Sequence, residues 1–393
     1  MLKKLSFLMV FALVAVSLFS CTLNSKTQLK FTTFPEAEYL AGEMTKEELF
    51  KSVVVSVNGD YYTLAQMETL GASIKGVELE KIGSYTLIVE YKGVVILFDY
   101  DVINANAASV NEVVYEDLLE AIAAANACEG VAEVVLLKNS KVEANEITIA
   151  ATANVKLDLN GYLLYCVSEF KSSNQLILNK GTLEIVGKGG SIVYMSKYPD
   201  LDRSKYPFPG YACNAIRNEG TLTVDGDIVI ENQTPRGGAS YAIDNYAGSS
   251  LTIENGTIKQ TGGDLAIRIF TSQEKDTNVT INGGSISGRR AIWIQLAGSN
   301  ETIAPNVNLE INGGTLSGTQ YCIYEYSYGN SHANVNVTIN GGEFLGSISK
   351  FGASADGLHV NDVTITINDG SFEYDVINLK EDGSEEVLFN ANK

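Results

Sequence analysis

Five short segments share one pattern and carry many of the chemistry-bearing side chains of this chain. They are NAIRNEG (214–220), YAIDNYAG (241–248), LAIRIFTS (265–272), RAIWIQLAG (290–298) and YCIYEYS (321–327). With Ile216, Ile243, Ile267, Ile292 and Ile323 pointing inward on strands, the neighbouring column faces out. It reads Arg217, Asp244, Arg268, Trp293, Tyr324, and two residues on a second column reads Glu219, Tyr246, Phe270, Gln295, Tyr326. Mixed guanidinium, carboxylate and aromatic groups are what sugars usually meet. Ring faces pack on the C–H side of pyranoses, while Arg and Asp bond hydroxyl or acid groups. The expected ligand-binding residues are therefore Arg217, Asp244, Tyr246, Arg268, Phe270, Trp293, Tyr324 and Tyr326. The competing reading is that such residues simply suit the outer side of strands. Cys322 occupies a slot that is alanine at Ala215, Ala242, Ala266 and Ala291, so it is expected to be a small packing residue. Glu325 breaks the inward pattern, and the last strand is expected to end there.

The elements that position these columns repeat along the chain. An aliphatic residue precedes an Asn-Gly-like bend at Leu159, Ile185, Val224, Ile253, Ile281, Ile311, Ile339 and Ile367, at intervals of 26, 39, 29, 28, 30, 28 and 28. A period near 28 with alternation inside each unit predicts a solenoid of strands. Val279, Ile281 and Ile286 fall on its inner face, and glycine supplies the positive φ of the bend. Asn160, Asn282, Asn312, Asn340 and Asn368 share one slot and are expected to form an amide ladder, interrupted by Asp225 and Glu254. Loop lengths between the strands vary in opposite senses along the two edges of the columns. Long loops at the N-terminal rungs on one edge and at the C-terminal rungs on the other would wall a diagonal groove. The longest, YMSKYPDLDRSKYPFPGYAC (194–213), is rich in aromatic residues, beginning with Tyr194.

This pattern, over about residues 112–393, resembles the right-handed parallel β-helix of the pectate-lyase-like superfamily. The resemblance implies the handedness, which the spacing does not show, and it raises acidic polysaccharides as substrates. Lyases of that kind need calcium held by carboxylates and a basic proton acceptor. Arg268 or Arg290 beside Asp244 and Asp264 are the residues to consider. The Asn-Thr-Asp, Asp-Asp, Gly-His-Gly and Arg-Ile-Lys motifs of polygalacturonase-type hydrolases are missing, as is the Arg-x-Pro-x-x-Arg of pectate lyases. Arg268-Ile269-Phe270 is a partial echo only, and no catalytic residue is assigned. Fold does not fix chemistry.

Upstream, VVYEDLLEAIAAANA (113–127) has helical spacing and is expected to be a short helix capping the open end of the solenoid. Residues 30–105 read as short strands and turns, with Ser84–Tyr91 and Val94–Val102 flanking a Lys-Gly hairpin turn. The phrase GSYTLIVEYKG resembles the end of group-3 bacterial Ig-like domains, which implies a small β-sandwich. The fold class expected is thus all-β: an Ig-like sandwich, then a parallel β-helix.

Address follows from the first residues. Lys3 and Lys4 precede an apolar run from Leu5 to Phe19, a secretory signal over 1–20. Leu18-Phe19-Ser20-Cys21 resembles the bacterial lipobox, which implies lipidation of Cys21, residues 21–29 as a tether, and a membrane partner through the anchor in the cell envelope. The formal charge of −19 becomes −21 once the two lysines of the signal are removed. Such an acidic chain lacks the basic face that nucleic acid requires. No cofactor is expected, with calcium the one ion the charge would favour. His332 and His359 are the only histidines, and Cys128, Cys166, Cys213 and Cys322 have no metal-type spacing. Three functions stay open: a lipid-anchored surface protein that binds carbohydrate, a lyase or hydrolase of acidic polysaccharide, and a structural or adhesive surface protein.

Overall fold

A computed structural model describes residues 27–169, 173–197, 212–235, 239–271, 275–297, 305–328, 334–346, 362–379 and 384–391. The export signal, Cys21, residues 198–211 of the longest loop, His332 and His359 lie outside the described residues, as does the side chain of Tyr326. The chain divides into two compact units, residues 1–105 and 106–393.

The first unit holds a three-stranded sheet (Leu29–Thr33, Val54–Val57, Asp60–Thr63) and a four-stranded sheet (Glu38–Leu40, Val94–Ile103, Gly83–Tyr91, Ser73–Lys75) around one apolar core. Val55, Leu87, Val89 and Val102 from both sheets meet there, almost fully buried. Its hairpin turns, Asn58-Gly59 and Lys92-Gly93, each place two successive residues at positive φ, the geometry that two-residue hairpins favour. Two short helices, Lys46–Ser52 and Leu64–Thr69, depart from the strands-only reading of this region. Each starts on a reciprocal capping box, Thr45 with Glu48 and Thr63 with Gln66, a signal stronger than the alternation around it.

The second unit is a parallel β-solenoid with three strand-bearing faces. The first face stacks Val131–Leu136, Asn154–Asp158, Thr182–Val186, Thr221–Val224, Ser250–Ile253, Thr277–Ile281, Asn306–Ile311, Asn334–Ile339 and Asp362–Ile367 in parallel register. The second runs from Ser140–Lys141 through Leu163–Glu169, Lys188–Lys197, Asp227–Asn232 and Thr257–Gln260. The third runs through Ile147–Ile149, Asn174–Asn179, Ala212–Asn218, Ala239–Asn245 and Leu265–Thr271. Ser285–Ala297 and Thr315–Tyr328 are long enough to bend around and serve both the second and the third face. Strictly alternating aliphatic residues fill the interior: Leu222, Leu251, Val279 and Leu309 from the first face, and Ile230, Ile258, Ile286 and Leu316 from the second, at 0–1% exposure.

Corners between the first and second faces are made by glycines stacked rung on rung. Gly284 has φ +80, and a Cβ there would sit 2.5 Å from the Gly256 carbonyl oxygen. Gly314 meets Gly284 in the same way, at 2.8 Å. The amide ladder forms beside them. Asn312 donates to Asn282 (2.8 Å), Asn340 to Asn312 (2.7 Å) and Asn368 to Asn340 (2.7 Å). Glu254 does not interrupt the column; its carboxylate accepts from Asn282 at 2.9 Å and terminates it. Asn160 stands apart and donates to the Leu136 carbonyl. A parallel column runs from Asn334 to Asn306 to the Asp276 carboxylate. Inside the solenoid a third, fully buried column links Asn179 to Asn218 and Asn218 to Asn245, each at 2.7 Å.

The helix occupies Leu118–Ala127, shorter than the expected 113–127. Asp117 caps it by accepting from the amides of Leu119 and Glu120, and Val113–Tyr115 instead pairs antiparallel with Ala108–Val110. Leu118, Ala121, Ile122 and Ala125 pack into the solenoid core. At the other end, Phe344 stacks on Phe372, and Phe389 of the antiparallel pair Val376–Leu379 and Glu385–Phe389 packs on Phe372.

Candidate carbohydrate-binding face

The third face carries the candidate site, and its register is set by the buried isoleucines. Ile216, Ile243, Ile267, Ile292 and Ile323 pair in sequence across five rungs and are all 0% exposed. Their alanine neighbours, and Cys322 in the same slot, are equally buried. Two successive residues therefore point inward, which breaks strict alternation. The outward side resumes three residues before the Arg217 column, not two. It adds a column that alternation would have placed inside: Asn214, Tyr241, Leu265, Arg290, Tyr321.

Arg217, Asp244, Arg268, Trp293 and Tyr324 are consecutive partners across the rungs. Tyr246 and Phe270 lie beside them with ring centroids 4.9 Å apart. Within this array Asp244 and Arg268 hold each other. Arg268 Nε and Nη2 donate to the two Asp244 carboxylate oxygens at 2.7 Å each, and Nη1 donates to Gln295 Oε1 at 3.0 Å. Its guanidinium lies between the rings of Tyr241 and Phe270, 4.4 and 4.5 Å from their centroids. Asp244 is fully buried and Arg268 is 8% exposed. The bidentate pair, with the added Asn214 Nδ2 donor to Asp244 at 3.2 Å, is saturated and serves as the support of the face. Burial is the largest single influence on the Arg268 pKa and lowers it, but Asp244 together with Tyr241 and Tyr246 outweighs it and holds the pKa above the usual value.

Trp293 is also buried, at 8% exposure, in a small cluster with Tyr241 and Leu265 that is separate from the solenoid core. Arg217, Tyr246, Phe270, Gln295, Tyr321, Tyr324 and Arg290 are half-buried and form the accessible part. Arg217 sits 4.2 Å above the Tyr246 ring and pairs with Glu219 at 2.7 Å. Tyr321 and Tyr324 stack with centroids 5.1 Å apart and planes 14° apart. Arg290 lies 3.8 Å from the Tyr324 centroid.

Asp264, below this surface, accepts from the Ser240 amide at 3.0 Å and approaches Arg289 Nη2 at 3.6 Å. Burial raises its pKa, against the opposing effect of the Ser240 bond and of Arg289. Two further expectations change. Tyr194, read as a loop aromatic, lies in a strand and is fully buried, hydrogen bonded to Ser168 and Asn174. The strand does not end at Glu325, which is fully buried while the strand continues to Tyr328. Cys322 donates to the Leu316 and Gly346 carbonyls, and burial pushes its thiol up to about 11. Among the described residues, no group of three or more His, Cys, Asp or Glu side chains is placed to hold a metal ion.

Comparison with protein-family models, with curated proteins and with solved structures found no match.

Proposed function

We propose that this is a lipid-anchored, exported protein of a bacterial envelope whose solenoid binds carbohydrate through its third face, without catalysis. The supporting observation is the half-buried surface of Arg217, Tyr246, Phe270, Tyr321, Tyr324 and Arg290, held in fixed register by a rigid parallel stack. Stacked rings and guanidinium groups offer flat faces and fixed donors at little entropic cost. In this reading the first unit is an Ig-like spacer, the helix 118–127 caps a right-handed β-helix of the pectate-lyase-like kind, and Cys21 carries the lipid.

The saturation of Asp244 by Arg268 favours binding over cleavage, because neither group retains the freedom a proton acceptor needs. It also supports the second reading, a structural or adhesive surface protein, since Trp293 and Arg268 are nearly covered. Affinity electrophoresis of the protein in native gels cast with plant, algal and host polysaccharides, with and without calcium, separates the two. Selective retardation by one polymer is the expected result. Equal mobility in every gel would move the assignment to the structural reading.

A further inference from the structure

Four arginines lie on or beside this face, and three carboxylates answer three of them. Arg217 has Glu219, Arg268 has Asp244 and Arg289 has Asp264. Arg290 is left over. Its one hydrogen bond runs from Nε to Gln320 Oε1 at 3.3 Å, onto an acceptor that Arg289 Nη1 already holds at 2.5 Å. Its guanidinium packs over Tyr324 and lies 5.6 Å from the Trp293 ring centroid and 6.0 Å from that of Tyr321. Stacking uses the flat face of the cation and leaves its N–H edges available. Both Nη groups lack a partner among the described residues. Burial lowers its pKa and Arg289 adds to that, against smaller raising influences of Tyr324 and of Asp264, so the charge is partly desolvated with no carboxylate in ion-pair contact among the described residues. The other nearby carboxylate, Glu325, is fully buried on the inward side of its strand.

Two more donors beside it are buried without acceptors: Arg289 Nε and Trp293 Nε1. Buried polar groups are normally satisfied, so two orphan donors next to an unneutralised guanidinium call for a missing acceptor. A monoanion with two or three oxygen atoms has the right charge and the right chemistry. The stacked Tyr321–Tyr324 pair adjoins it as a platform for the body that carries the anion.

We infer that Arg290, with Arg289 and the Trp293 indole N–H, forms an anion subsite for a carboxylate or sulfate group borne on a sugar. This rests on the carbohydrate-binding reading and adds to it the charge of the sugar and the residues that read it.

Trp293 is the only tryptophan, so emission excited at wavelengths that tyrosine does not absorb reports on this place alone. The test titrates the full chain, at constant ionic strength, with polygalacturonate, a sulfated galactan, neutral galactan and poly-glutamate. One anionic polysaccharide should change the emission saturably, while the neutral polymer and the peptide should not. Arg290→Gln should weaken that binding at least tenfold, with Arg290→Lys intermediate because it keeps charge but loses the fork. Inorganic sulfate should displace the polymer from the unmutated protein at concentrations where chloride of equal ionic strength does not, a check that needs no variant. Neutral galactan binding as tightly as the anionic polymers, or unchanged binding by a folded Arg290→Gln, would overturn the subsite and leave carbohydrate binding standing. Preferential binding of poly-glutamate would replace the sugar with an acidic protein partner. Binding of none would overturn both readings.

Discussion

Replacing Asp244 with asparagine keeps the shape of the side chain and removes its charge, so it isolates what the buried ion pair contributes. The carboxylate is 0% exposed and takes two 2.7 Å bonds from Arg268, whose side chain is only 10% exposed. After the substitution the guanidinium stays confined between Tyr241 and Phe270 with its charge unanswered. Removing one partner of a buried pair destabilises by about 3–5 kcal/mol, whereas replacing both by apolar groups is often neutral. One carbonyl acceptor survives in asparagine, which places the expectation near the lower end, about 3 kcal/mol. Asp244→Asn with Arg268→Met should recover most of that loss. Urea unfolding of the two variants and the parent measures it, through the midpoint at an unchanged slope. A single-variant loss below about 1 kcal/mol, or a double variant no more stable than the single, would show that the pair is solvated and does not support the face.

The stacked corner glycines predict a sharp contrast between two substitutions at similar φ. Gly284→Ala (φ +80, with backbone oxygen 2.5 Å from the new Cβ) should lose well over 2 kcal/mol, while Gly93→Ala (φ +79, nothing within 4 Å) should lose only about 1 kcal/mol in chemical denaturation. Burial pushes the thiols of Cys166 to about 12, and of Cys213 and Cys322 to about 11. Iodoacetamide at pH 8 should therefore leave these three unlabelled in the folded protein and modify them after denaturation, as read by mass spectrometry. Two aspartates should give opposite pH signatures. The folded pKa of Asp264 is raised by burial, so its proton favours the fold; that contribution is present at low pH and is lost as pH rises from 3.8 through the folded value. The pKa of Asp276 is lowered, first by the Asn306 amide and then by the Asn306 side chain. Its contribution is present above 3.8 and is lost as pH falls through the folded value. Melting curves of Asp264→Asn and Asp276→Asn between pH 3 and 7 should thus diverge from the parent in opposite directions.

Much of the solenoid was legible because its signals are local and repeated. The aliphatic–Asn–Gly bends fix corner and register together, and the observed pairing of Ile281 with Ile311 and of Ile311 with Ile339 follows their spacing. The amide ladder was legible for the same reason. What escaped the sequence was every place where period two fails. Ala-Ile pairs with both side chains inside shift the outward side by one residue, and the column of Tyr241, Arg290 and Tyr321 that this adds was not among the expected outward columns. Small alanines make this shift sterically cheap, and the repeated Ala beside each Ile was the available signal. Tyr194 was hidden by its loop-like surroundings, although its strand continues the ladder Leu163–Glu169. The columns of the candidate site were readable, but their burial was not. That depends on rings and guanidinium groups packing on one another, which no spacing records.

The amide columns have a direction. In the two columns that reach Glu254 and Asp276 every asparagine donates toward the preceding rung, and the last donor in each meets that carboxylate. In the buried column the donors run the other way, from Asn179 toward Asn245. An acceptor-only group at the head forces the orientation of the first amide, and each amide then forces the next. Two acidic residues thereby set the polarity of several rungs, much as a keystone letter fixes the reading frame of a line. Exchanging Glu254 or Asp276 for its amide would leave every hydrogen bond possible and erase the instruction that tells them which way to point.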